Sequence, residues 1–453
     1  MNGFMDKLEN KLMPVAQIIS KNKYLISIRD GFLINMPLLI IGSFFMLIGN
    51  FPVPAWTDLL KETMINGVSI SAILSIPTQA TFSIMAIFIV FGIGYNFSKQ
   101  VKVNPVFGAV VSVMSWFMLM PFVTPFTPEG AKVALDVSSI PLDWVGAKGI
   151  FVGILCAFAS VHIYRWVTKK GWVIKMPAGV PPTVVQSFAA LIPAAIVIIS
   201  FCLINVAFVC TPWGNAFNFI YKFLQMPLLH VGDSLGAMVI LYLFAHVLWF
   251  FGIHGTNITD SVFRPILITL SAENLSALQA GLPLPHIINT QFQDLFATYG
   301  GGGSTLSLLI GMLMFCKSKR ITQLGKLAIV PGIFGINEPV IFGLPIVLNP
   351  IIFIPFILVP MFNIIVTYGV MSIGLVPICN GVIIPWTMPP VISGFLSSGW
   401  QGAIFQIIMI VIGVIIYLPF IKTMDKQYLN DEKLALENPS DDISLDDLSF
   451  DEL

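Results

Sequence analysis

The chain reads as long apolar runs separated by short polar connections. Runs at about 31–50, 72–95, 105–123, 148–167 and 186–210 approach or exceed the ~20 residues that an α-helix needs to cross a bilayer. Their apolar residues are continuous. A transmembrane barrel would instead alternate lipid-facing and lumen-facing side chains, so that architecture is excluded. Residues 236–253 form a further run, whereas 254–303 hold Thr256, Asn257, Asp260, Arg264, Glu273, His286, Asn289 and Asp294 and read as too polar for a simple helix. Residues 304–316 are apolar but short for a full span. From 327 to 421 the chain is apolar almost throughout and repeatedly broken by Pro and Gly. That stretch has room for roughly three or four spans and a re-entrant segment. The expected fold is an all-α polytopic membrane protein with about ten transmembrane helices and re-entrant hairpins in its C-terminal half.

Polar residues set the topology. Lys7, Lys11, Lys21, Lys23 and Arg29 precede the first run, Lys99 and Lys102 follow the second, and Arg165, Lys169, Lys170 and Lys175 follow the fourth. The basic cluster Lys317, Lys319, Arg320 and Lys326, with Lys422 and Lys426, continues the pattern. By the positive-inside rule these segments and both termini are cytoplasmic, while 51–70 and 124–147 lie outside. The organisation expected is a cytoplasmic N-terminal segment at 1–28, an N-terminal transmembrane half at 29–210 and a connecting segment at 211–235. A C-terminal transmembrane half follows at 236–422, then an acidic cytoplasmic tail at 423–453 that reads as disordered.

Composition agrees: 56% of residues are hydrophobic, 10% are charged and the mean hydropathy is +0.89, outside the soluble globular range. The zero net charge hides an asymmetry, because ten acidic and two basic residues fall from Asp425 onward. Cys156, Cys202, Cys210, Cys316 and Cys379 lie in or at the ends of apolar runs without a CxxC spacing. They read as packing residues, with neither a metal site nor a disulfide framework. The N-terminus, about 28 residues of mixed polarity before a long apolar run, does not read as a cleavable signal.

The candidate chemistry is concentrated. Between Lys326 and Lys422 the only charged side chain is Glu338, inside Gly335-Ile336-Asn337-Glu338-Pro339. A carboxylate at membrane depth costs at least ~2.5–3.5 kcal/mol and so marks a pathway or a site. The alternative is a protonated carboxyl that merely hydrogen-bonds a neighbour. Buried, Glu338 would have a raised pKa, suited to accepting a proton from a hydroxyl.

His254 stands where an apolar span gives way to polar sequence, between Gly252 and Gly255; a satisfied structural histidine is the competing reading. His246, on nearly the same helical face, is assigned to packing. Trp249 and Trp386 flank the two broken regions. Their indoles suit the C–H face of a sugar, but position alone favours an anchor at the lipid interface. Gly300–Gly303 lacks the Gly-Lys-Ser/Thr ending of a nucleotide loop, so close packing or a hinge is expected there. Arg29, Asp30, Asp260 and Arg264 read as interface charges or ion pairs.

Gly335-Ile336-Asn337-Glu338-Pro339 together with Gly252-Ile253-His254-Gly255 resembles the membrane-embedded, sugar-translocating C component of a bacterial phosphotransferase system enzyme II. The closest resemblance is to the lactose, cellobiose and diacetylchitobiose branch, and it runs from the basic N-terminal segment to about residue 422. The resemblance implies a homodimer in the bacterial cytoplasmic membrane, with the N-terminal half forming the dimer contact and one sugar per protomer in the C-terminal half. It also implies a rigid-body movement of that half and phosphorylation of the sugar's 6-hydroxyl by a separate phosphocysteine-bearing B component. Glu338 and His254 fall on the family's catalytic positions, and Asn337, Trp249 and Trp386 on sugar-contacting positions.

No cofactor, metal or nucleic acid is implied. Lactose members are often fused to their B domain; here only an acidic tail follows the last span, so the phosphocysteine is expected in trans. That favours a β-glucoside such as cellobiose, or diacetylchitobiose. Lys99, Lys102, Lys169, Lys170 and the 317–320 cluster are a candidate dock for that partner. Two other readings compete: a proton-coupled sugar transporter with Glu338 as proton carrier, and a membrane scaffold or sensor.

Overall fold

The computed structural model describes residue 18 and residues 21–49, 54–126, 135–177, 179–251, 254–344, 346 and 349–437. The expectations for most of the N-terminal segment, for Gly252 and Ile253 and for the tail beyond 437 lie outside these residues.

The first half is a packed set of helices: α1 (Lys23–Gly49), α2 (Ile70–Thr81), α3 (Met85–Gln100), α4 (Pro105–Leu119), α5 (Ile150–Lys169) and α6 (Pro182–Val209). Local sequence starts them. The Asn22 side chain accepts from the N–H groups of Tyr24 and Leu25 at the head of α1. Asn104 does the same for Val106 and Phe107 at the head of α4, where Pro105 occupies the first turn, a position that needs no N–H donor.

Helices α1 and α3 touch backbone to backbone. A Cβ on Gly92 would stand 2.8 Å from the Gly31 carbonyl oxygen, and one on Gly31 would stand 2.7 Å from the Ile93 nitrogen. Small residues of this kind let membrane helices approach closely. Two hairpins decorate the loops that the charge pattern places outside. Met64–Ile65 pairs with Val68–Ser69 around Asn66-Gly67, and Val123–Phe126 pairs with Leu135–Ser138.

The second half is less regular. Helices at Ala216–Gly232 and Leu235–Trp249 meet at a 70° bend. They lead through α7 (Leu235–Phe250) to α8 (Gly255–Gln279), a short π-helix at Phe292–Ala297, α9 (Thr305–Phe315) and α10 (Lys319–Ile333). The six-residue α11 (Glu338–Gly343) precedes α12 (Pro350–Ser372). The chain is irregular from 373 to 391 and ends in α13 (Ile392–Glu437), which is kinked at Ser398–Gly399.

Six helices among the described residues are long and apolar enough to cross a membrane, or seven if the bent pair is one span. The short apolar helix Pro105–Leu119 and the broken segments of the second half carry the remaining apolar chain. Within 327–421, where three or four spans are expected, two long helices stand, α12 and most of α13.

Two further expectations are corrected. Residues 255–279, read as too polar for a simple helix, form one helix of 25 residues. Its polar groups are bonded within the protein: Asn274 Nδ2 donates to the carbonyls of His286 and Cys379, and the Ser271 hydroxyl donates to Gln291. Nor is the start of the acidic segment free, because α13 continues helically to Glu437. There Asp425 accepts from the Lys317 and Ser318 N–H groups, and Glu432 from the Ser318 hydroxyl and the Arg320 N–H.

The two halves interlock. Ile268, Ala272, Leu275, Val382 and Ile383 belong to a buried cluster made mostly by the first half. The Ile383 N–H donates to the Ser43 hydroxyl on α1 at 3.0 Å.

Candidate functional site

A cavity of about 390 Å³ opens between α1 and the second half, within the size range of small-molecule sites. Its wall includes His254, Trp249, Asn337, Glu338 and Trp386, the five residues singled out from the sequence. They come from three separate regions of the chain.

Helix breaks put them there. Gly335 has φ +82° and turns the chain out of α10. Asn337 then begins α11: its carbonyl accepts the N–H groups of Val340 and Ile341, and Pro339 fills the first turn. Asn337 is 5% exposed, and its Nδ2 donates to the Gly302 carbonyl at 2.9 Å. The glycine run is thus the opposite lip of the site, as the expectation of close packing requires. At Gly301 (φ +89°) a Cβ would lie 2.7 Å from the Gly335 carbonyl oxygen and 2.8 Å from Asn337 Nδ2. No larger residue fits this approach.

His246 holds the same run from behind. Fully buried, it donates from Nδ1 to the Tyr242 carbonyl and accepts the Gly303 N–H at Nε2, 3.0 Å. This is the packing role expected of it, and both ring nitrogens are used.

His254 is different. It is the N-cap of α8, and its Nδ1 faces the Thr256 hydroxyl at 3.0 Å and the Asn257 N–H at 3.4 Å. An accepting Nδ1 leaves Nε2–H as the donor of the neutral ring. The Trp249 ring lies against the imidazole, with centroids 4.3 Å apart. Trp249 is 5% exposed and its indole N–H has no partner among the described residues. Trp386 is 51% exposed. Both indoles line the cavity.

Glu338 is exposed on the cavity wall. The expectation of a buried carboxyl is corrected: the six-residue helix is bounded by irregular chain, so its first residue projects into open space while Val340 and Ile341 are buried.

Sequence reasoning missed several wall residues. Arg29, Asp260 and Arg264, read as interface charges or ion pairs, all line the cavity, together with Gln293 and Asp294. Arg264 is indeed an ion pair, bidentate to Asp294 at 2.6 and 2.8 Å with side chains 14% and 9% exposed. Gln293 Nε2 donates to Asp260 at 2.7 Å. The available signal was the i, i+4 placement of Asp260 and Arg264 in the first turns after His254, which puts all three near one end of one helix.

The chain matches the family described as Phosphotransferase system, EIIC, over residues 29–360. It is 43% identical to the oligo-β-mannoside-specific EIIC component of Bacillus subtilis (strain 168) over 430 residues, 94% of this chain and 96% of the relative. It is 41% identical to the cellobiose-specific EIIC component of Geobacillus stearothermophilus over 438 residues, 96% of this chain and 97% of the relative. Among solved structures it resembles the transporter ChbC, the IIC component of the N,N'-diacetylchitobiose-specific phosphotransferase system. That match has a TM-score of 0.90 and 41% identity and covers 94% of this chain and 99% of the other. A helical chain of this hydropathy, with a cavity at its broken segments and these matches along almost its whole length, belongs to the phosphotransferase system EIIC family of membrane permeases.

Proposed function

We propose that the protein imports a β-linked disaccharide of the cellobiose or diacetylchitobiose class and presents its 6-hydroxyl to a separate phosphocysteine-bearing B protein at the cytoplasmic face. The observation that carries this reading is the convergence of Glu338, His254, Asn337, Trp249 and Trp386 on one cavity. The relatives' names, oligo-β-mannoside, cellobiose and diacetylchitobiose, share a β-linked sugar as cargo.

The chemistry suits the residues. Phosphoryl transfer depends on alignment and charge stabilisation more than on a strong base. Glu338 accepts the hydroxyl proton as the phosphoryl group arrives, and the Nε2–H of His254 hydrogen-bonds the sugar. Trp249 and Trp386 offer ring faces and indole N–H donors to the pyranose. Asn337, bonded to Gly302, sets the height of Glu338 on the wall. The protein works as a homodimer in the bacterial cytoplasmic membrane. Phosphorylation makes entry one-way, because a charged sugar phosphate does not recross lipid.

Uptake by membrane vesicles tests the coupling. Labelled cellobiose or diacetylchitobiose should accumulate as a phosphate only when the phosphorylated partner is inside, and an uncoupler should leave accumulation intact. Uptake that ignores the partner and collapses with the uncoupler would instead identify a proton-coupled carrier.

A further inference from the structure

Arg29 stands on the cavity wall with Phe32, Leu33 and Met36, which are the i, i+3, i+4 and i+7 positions of one α1 face. It lies six residues after Lys23, about 9 Å along the helix. The basic N-terminal segment places that end of α1 on the cytoplasmic side. Arg29 therefore enters the cavity from a helix remote in sequence from Glu338, and near the side from which a phosphoryl donor arrives.

The basic side chains on the wall are Arg29, Arg264 and His254. The two terminal nitrogens of Arg264 are bonded to the two oxygens of Asp294. His254 uses Nδ1 to cap its helix. The Arg29 side chain is 40% exposed, with Nε at 2.9 Å and Nη2 at 2.8 Å from a single oxygen of Asp30. Among the described residues its Nη1 takes no partner. A neutral disaccharide makes no demand for such a cation. A phosphoryl group in transfer does, because negative charge spreads over its equatorial oxygens. A planar guanidinium can hold a carboxylate on one edge and phosphoryl oxygens on another.

We infer that Arg29 is the charge partner of the transferred phosphoryl group, a catalytic residue supplied by the first membrane helix. The inference deepens the proposed function and rests on it. In the step, the sugar 6-oxygen forms the O–P bond while the P–S bond of the partner's phosphocysteine breaks. The P–S electron pair leaves on sulfur as thiolate, the hydroxyl proton passes to Glu338, and Arg29 bonds the non-bridging oxygens throughout. Asp30 orients the guanidinium and touches no substrate.

The test uses the full-length protein in membranes, supplied with phosphorylated B partner and cellobiose or diacetylchitobiose, and compares Arg29→Ala, Arg29→Lys and Asp30→Asn. The expected result is a loss of about 100-fold or more in kcat for Arg29→Ala, with the sugar KM changed less than about threefold. Arg29→Lys should recover at least about tenfold of that loss, and Asp30→Asn should stay within about fivefold of wild type. A kcat for Arg29→Ala within about threefold of wild type would overturn the inference while leaving the proposed function standing. So would a loss confined to the KM for the phosphorylated partner, which would make Arg29 a docking residue. An equal loss in Asp30→Asn would overturn it too, by making the pair a brace for α1. A wild-type protein that makes no sugar phosphate with an active partner would overturn the proposed function, and the inference with it.

Discussion

Asn337 Nδ2 donates to the carbonyl of Gly302 at 2.9 Å, a bond across 35 residues that ties the turn carrying Glu338 to the glycine run opposite. The same asparagine starts α11 with its own carbonyl. One side chain therefore fixes both the direction of the helix that carries Glu338 and its distance from the other lip of the cavity.

Removing that tie should loosen the site before it unfolds the protein. Asn337→Ala leaves the half-buried Gly302 carbonyl without this donor, a cost of about 1 kcal/mol. Asn337→Asp replaces the donor with an oxygen facing an oxygen and should be worse. Both variants should bind sugar at least about tenfold more weakly than wild type, as read by quenching of tryptophan fluorescence. Wild-type affinity in Asn337→Asp would show that the bond does not shape the site.

The Arg264–Asp294 pair should behave as a unit. Its side chains are 14% and 9% exposed and its geometry is bidentate. Losing one partner strands the other, at a cost of roughly 3–5 kcal/mol. Arg264→Met and Asp294→Leu should each lower the melting temperature of the solubilised protein sharply. The double variant should be more stable than the sum of the two losses predicts, with a coupling of about 1–3 kcal/mol. Simple additivity in the melting temperatures would mean that the pair is not energetically joined.

A third ion cluster makes stability depend on pH. His286, in the segment after α8 and outside the candidate spans, has Nδ1 3.0 Å from Asp233 and Nε2 2.7 Å from Glu273. Burial opposes its charge, but the hydrogen bonds to Asp233 and Glu273 outweigh burial and raise its pKa to about 9. An unfolded histidine titrates near ~6.5. The stabilisation, on the order of 2–3 kcal/mol, is thus fully present below about pH 6.5 and is lost as pH rises through about 9. The melting temperature of wild type should fall across that window, and His286→Gln should flatten the fall. Parallel curves for the two proteins would assign the pH dependence elsewhere.

The regular half was legible because lipid-spanning helices announce themselves by length and continuous hydropathy: 182–209 and 147–169 stand close to where the runs place them. Glu338 was legible because it is the single charge in a long apolar stretch. Arg29 was not, since it reaches the cavity from α1, more than 200 residues from His254, and proximity across such a distance has no local pattern. Helix α8 was misread because hydropathy assumes a lipid neighbour, whereas Ser271 and Asn274 find hydrogen-bond partners in the protein. Asp425 and Glu432 resembled a solvated acidic run for the same reason. Their partners, the N–H groups of Lys317, Ser318 and Arg320, are more than 100 residues away.

The central claim is that Glu338 takes the proton of a sugar hydroxyl during phosphoryl transfer from a partner protein. The most direct test is the rate of 6-phosphate formation from cellobiose or diacetylchitobiose by the purified protein in lipid, with phosphorylated B partner, for wild type and Glu338→Gln. Glutamine keeps the shape of the side chain and removes the base. The account predicts partner-dependent product with wild type and a loss of at least about 100-fold with the variant. Equal rates in the two proteins would contradict it.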